Sequence, residues 1–163
     1  MNHSTLEKLK FPIGKCPKID TVSETELENW ITTIETFSSK IISLTKTLSV
    51  EELNWIYRPK GWSIKQVVHH CADSHMNSFI RFKLALTEDV PIIKPYEEQL
   101  WAELADGNSN DIVPSLQIIE SVHKRWVLLL KSLSSTELKR QFFHPSNLKI
   151  SSLEETIGVY AWH

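Results

Sequence analysis

Two cysteines, four glycines and no long apolar run are the scarcities of this 163-residue chain. Cys16 and Cys71 stand far apart and make no CxxC pair, which argues against a disulfide framework. The glycines form no loop of the kind that cradles phosphate. No stretch approaches the ~18 apolar residues that span a bilayer, so no membrane partner is expected. A formal net charge of -2 and a pI near 6.4 provide no basic face, so nucleic acid is not an expected partner either. The first residues, Met1-Asn2-His3-Ser4-Thr5, lack the basic-then-apolar signature of a secretory leader, and the cytoplasm is the expected location.

What is present is helical. Hydrophobic content of 41% and charged content of 23% are those of a globular protein, and the length suits one domain over residues 1–163. Residues 1–22 read as an irregular arm punctuated by Pro12, Gly14 and Pro17. Ser23 with Glu26 is a capping box that opens a long helix to about Leu48, with Leu27, Trp30, Ile31, Ile34, Ile41 and Leu44 at core spacing. Ser49 with Glu52 opens a short turn, and Ser63 with Gln66 opens a second long helix to about Leu86. Residues 87–110, with Pro91, Pro95 and Gly107, form a long connection that holds a short helix at Glu97–Leu104. A third helix spans 112–133, Ser134 with Glu137 caps another turn, and Phe142 to Asn147 reads as a loop. Ser151 with Glu154 opens a final helix ending at Trp162-His163. No segment alternates long enough to imply a sheet.

Leu48-Ser49-Val50-Glu51-Glu52-Leu53 matches Leu133-Ser134-Ser135-Thr136-Glu137-Leu138. Each copy sits in a unit of long helix, capped turn, loop and capped helix. Two such helical hairpins imply an all-α four-helix bundle with pseudo-two-fold symmetry and a long crossover between the second and third helices. The six tryptophans are expected mostly in its core.

Chemistry concentrates in His69-His70-Cys71-Ala72-Asp73-Ser74-His75 on the second long helix and in His163 at the end of the last. Adjacent histidines cannot both face a bundle core, and periodicity leaves open which one does. His69 and Asp73, at i and i+4, could themselves chelate a metal. A divalent ion held by two imidazoles, with Asp73 orienting a ring, is the smallest arrangement worth proposing. His3, His123 and His144 read as structural, with His123 on a solvated face beside Lys124 and Arg125. No elbow motif surrounds Ser74, and Cys71 reads as an inert buried thiol.

The run Gly61-Trp62-Ser63-Ile64-Lys65-Gln66-Val67-Val68-His69-His70 resembles the DinB-like superfamily. Ala72-Asp73-Ser74-His75-Met76-Asn77-Ser78, Ile80-Arg81-Phe82-Lys83-Leu84, His144-Pro145 and Trp162-His163 extend the resemblance over nearly the whole chain. Within that superfamily the chain looks like the YfiT-type branch of metal-dependent hydrolases, related to bacillithiol transferases. The resemblance implies a four-helix bundle binding one divalent metal, with zinc or nickel foremost, through three histidines. Two map to His70 and His163. The third would stand four residues beyond His163, past the end of this sequence. A shortened last helix and weak or incomplete metal binding are therefore expected.

The resulting functional expectation is a hydrolase or thiol S-transferase in which the metal activates water or a low-molecular-weight thiol. Asp73 is the candidate base, and Arg58 and Arg81 are candidates to receive an acidic group of the substrate. The partners are then a small-molecule substrate or thiol and a second copy in a homodimer. The alternative is a non-catalytic ligand-binding or dimeric scaffold bundle with a vestigial metal site.

Overall fold

A computed structural model describes residues 3–19 and 21–163, with the side chains of His3 and Ser4 outside the description. The expectation for the His3 ring therefore lies outside the described residues. The chain forms α1 (His3–Lys10), α2 (Glu24–Thr45), α3 (Val50–Leu53), α4 (Ile64–Thr87), α5 (Glu98–Trp101), α6 (Val113–Ser132), α7 (Ser135–Leu138), β1 (Gln141–His144), β2 (Lys149–Ser152) and α8 (Leu153–Trp162). The arm read as irregular thus contains a two-turn helix, whose last turn carries Lys8 and Lys10 where the helix dipole favours cations.

The expected caps at Ser23, Ser49, Ser63 and Ser134 are present. At each, the serine and the Glu or Gln three residues on satisfy each other's backbone donors. The cap of α8 falls one residue later than expected. Ser152 accepts from the Glu155 amide, because the strand runs through Ser152, opposite Gln141, and the helix begins only at Leu153. The stretch read as a loop is a β-hairpin. Gln141 pairs with Ser152 and His144 with Lys149, and residues 145–148 make the turn. Four-residue strands are too short for alternation to be legible. The other unit carries an isolated bridge, Ile56 to Ser63, at the equivalent place.

Helices α2, α4, α6 and α8 make the bundle. α2 packs along α6 and α8, and α4 packs along α6. Side chains near the C-terminus of α8 meet α4 and close the ring. Helices consecutive in each repeat are thus not the principal packing partners, and the two units interlock instead of forming separate hairpins. Ile31, Ile34, Phe82, Trp126, Leu130, Leu153 and Ile157 fill one core cluster, and Ile41, Leu53, Val68, Ala72 and Ile119 fill a second. No described helix is long and apolar enough to cross a membrane.

Of the six tryptophans only Trp126 is fully buried, contrary to the expectation of a tryptophan-filled core. Trp30, Trp62, Trp101 and Trp162 are half-buried and Trp55 is exposed. Their indole faces cover neighbours while one edge stays wet, as suits an amphipathic ring. Trp62 lies on His70 with ring centroids 4.6 Å apart, and Trp162 donates its indole N–H to the Gly14 carbonyl at 3.1 Å.

Candidate metal centre

The 88–112 connection and the hairpin jointly build a wall beside α4. The Phe143 amide donates to the Pro91 carbonyl at 2.9 Å, and the Ile93 amide donates to the Phe143 carbonyl at 3.1 Å. These bonds place Pro95, Tyr96, Glu97 and Glu98 opposite His144 and Ser146. Between them opens a pocket of about 520 Å³, also lined by His70, Ser74 and Arg81 from α4 and by Tyr160 and His163 from the end of α8.

His70 and His163 meet in this pocket with ring centroids 5.5 Å apart. Two imidazoles bonded to one tetrahedral zinc at about 2.0–2.1 Å would have centroids about 5 Å apart. Burial lowers the His70 pKa to about 4. Burial, with His70 beside it, lowers that of His163 to about 4 against the opposing pull of Glu98. As a residue His163 is exposed, while its imidazole packs against His70, His75 and Tyr160. Both rings are therefore neutral at physiological pH, the form that ligates metals. No described residue hydrogen-bonds a ring nitrogen of His70, whose face is covered by Trp62. The donor set thus fits a divalent ion at two of its positions. Among the described residues no set of three His, Cys, Asp or Glu side chains is arranged to hold a metal.

His69 and His70 differ in what their ring nitrogens meet. His69 is buried on another face, with Nδ1 2.7 Å from Ser115 Oγ and Nε2 3.0 Å from the Ser109 carbonyl oxygen. With both nitrogens engaged, the His69/Asp73 chelate does not form. Asp73 is half-buried on α4 and off the pocket wall. Its carboxyl pKa is raised by burial and by Asp106, with His69 opposing. Arg58 lies elsewhere, against the Tyr57 ring on the α3–α4 loop. Arg81 does line the pocket, and its buried Nε has no hydrogen-bond partner. Of the candidate residues the structure brings together His70, His163 and Arg81, and it leaves Asp73 and Arg58 outside.

His123 corrects the expectation of a solvated face. It is 1% exposed, between Ile119, Trp126 and Val127 on the buried stripe of α6. The charged Lys124 and Arg125 belong to the opposite side. Its Nδ1 lies 2.7 Å from the Ile34 carbonyl oxygen and its Nε2 2.6 Å from His75 Nδ1. His75, 3% exposed, in turn sets its Nε2 3.4 Å from His163 Nδ1. Counting i−4, i+3 and i+4 neighbours would have found His123, whereas its immediate neighbours point the wrong way. His144 also lines the pocket, and its buried Nδ1 has no hydrogen-bond partner.

The class is that of a helical bundle with two imidazoles meeting in a pocket of mixed polarity. The DinB superfamily model matches residues 34–163, and the chain belongs to that family. YfiT of Bacillus subtilis is 41% identical over 159 residues, covering 98% of this chain and 89% of that protein. OB0782 of Oceanobacillus iheyensis is 46% identical over 154 residues, covering 94% and 88%. Both carry the name "putative metal-dependent hydrolase". The solved YfiT structure superposes with a TM-score of 0.92 over 96% of this chain and 89% of that one. It is described as having "an unusual four-helix bundle topology".

Proposed function

We propose that this chain is a metal-dependent hydrolase or thiol S-transferase whose divalent ion, zinc or nickel, is held by His70 and His163. The observation that carries the reading is the pair of neutral, convergent imidazoles in a pocket that also presents Arg81. The names of the relatives support it. When bound, such an ion lowers the pKa of a coordinated water or thiol so that a nucleophile is available at neutral pH. His70 and His163 supply neutral nitrogen donors, and Trp62 keeps the His70 ring in place from the loop side. Arg81 lines the pocket, and its guanidinium suits a carboxylate or other anionic group of the substrate. Glu98 faces His163 and is the pocket carboxylate placed to accept a proton. Glu98 lines the pocket and Asp73 does not, which favours Glu98 over Asp73 for this role.

The deciding assay screens zinc- and nickel-loaded protein for ester and amide hydrolysis and for thiol addition to an electrophile. The reading expects a metal-dependent rate that is lost in His70→Ala and, for anionic substrates, a raised KM in Arg81→Gln. A rate that survives His70→Ala contradicts it. The homodimer remains a proposal of the same kind, and light scattering on the purified chain tests it.

A further inference from the structure

We infer that His123 and His75 form a relay that fixes the tautomer of His163 from the backbone of α2. The argument is proton accounting along three bonds. The Ile34 carbonyl oxygen can only accept, so His123 Nδ1, 2.7 Å away, carries the proton. A neutral His123 then has a bare Nε2. That atom lies 2.6 Å from His75 Nδ1, which must donate to it. A neutral His75 is left with a bare Nε2, and His163 Nδ1–H is the group that faces it, at 3.4 Å. His163 Nε2 is then without a proton.

Every ring in the series is set by the one behind it, and the series leaves His163 Nε2 with a free lone pair that would be available to a metal held by this ring. Metal-bound histidines commonly donate their second N–H to a carbonyl or carboxylate, which fixes the ring and raises its basicity. Here the carbonyl is two imidazoles away. Packing holds the chain of rings in line. Phe37 stands 4.9 Å from His75 and 5.3 Å from His123, centroid to centroid, and Trp126 meets both edge-on. Among the described residues no carboxylate hydrogen-bonds any of the three rings. His75 and His123 are positioning residues that act through His163. The relay is a property of the metal-free chain. Its consequence for metal binding rests on the reading of His70 and His163 as ligands.

The test is long-range proton–nitrogen correlation NMR of the histidine rings in chelator-treated protein at neutral pH. The free neutral histidine side chain favours the Nε2–H tautomer, so Nδ1–H on His123, His75 and His163 together is the distinctive expected result. Finding His163 or His75 as Nε2–H overturns the relay. His123→Phe keeps an aromatic ring against Phe37 and Trp126 while removing the acceptor for His75. The relay expects His163, two rings away, to lose its Nδ1–H preference, and zinc affinity to fall about 10-fold or more. An unchanged His163 tautomer in a folded variant, judged by circular dichroism, overturns it. Should that variant not fold, the wild-type tautomers decide alone. Nδ1–H on all three rings with no zinc uptake by the wild type upholds the relay and refutes the metal centre.

Discussion

Zinc affinity in this protein is predicted to be nearly independent of pH between 7.5 and 5.5. Protons and metal compete for the same nitrogens, so affinity scales with the product of the neutral fractions of the ligands. For two ordinary histidines of pKa near 6.5, that product falls about 100-fold between those two pH values. Here burial holds His70 and His163 at about 4. The neutral fraction of each at pH 5.5 is then about 0.97, and the product loses less than about 10%. The assay is zinc titration against a chromophoric chelator whose own pH dependence is calibrated separately. A decline near 100-fold would refute the claim that the rings are desolvated and neutral. The same shifts carry a sign for stability. The folded pKa values lie below the unfolded ones, so the unfolded chain binds more protons between about 6.5 and 4. Metal-free protein should therefore hold its full stability above pH 6.5 and lose it as pH falls toward 4. His75 and His123, also depressed by burial, add to the effect in the same direction.

Gly158 of α8 is buried, and a Cβ there would come within 2.5 Å of Ile19 Cδ1 and 3.0 Å of the Trp30 ring. Ile19 Cδ1 can swing aside, so the Trp30 ring decides the outcome: Gly158→Ala should cost about 1 kcal/mol by urea denaturation after the gain in helix propensity, and an unchanged or raised midpoint would show that the Trp30 ring gives way freely. Burial pushes the Cys71 thiol up to about 12, so it should resist maleimide at pH 7.5 until the protein unfolds. Fast labelling in the native state contradicts that burial. Asp73→Asn should leave zinc affinity and turnover near wild type, because the side chain lies off the pocket wall. A large fall in kcat alone would restore Asp73 as the base.

The fold was legible where local chemistry is self-contained. Four of the serine capping boxes occur as expected, since a box needs only two residues three apart and a chain free to turn. The cap of α8 falls at Ser152 because hairpin pairing keeps the chain extended through that residue, and such pairing is non-local and contained in no short window of sequence. The bundle was legible from the repeat, but the interlocked packing was not. Which helix neighbours which depends on how the two units meet, and each unit's apolar stripe is the same in either arrangement. At the site, spacing alone could not choose between His69 and His70. Ser109 and Ser115, forty or more residues downstream, made the choice by occupying both nitrogens of His69. Lys124 and Arg125 beside His123 suggest a solvated face, whereas Ile119, Trp126 and Val127, one turn away on either side, mark it as buried. Arg81 was visible as a candidate, and only the tertiary wall of residues 95–99 and the hairpin gives it a pocket to face.

The most direct test of the central claim is metal content per chain, by elemental analysis of wild type and His70→Ala purified without chelator or a nickel column. The account predicts zinc or nickel with the wild type and its loss in the variant, with helical content unchanged. Metal retained equally by both proteins, or absent from both after exposure to excess zinc, would contradict the assignment of His70 and His163 as its ligands.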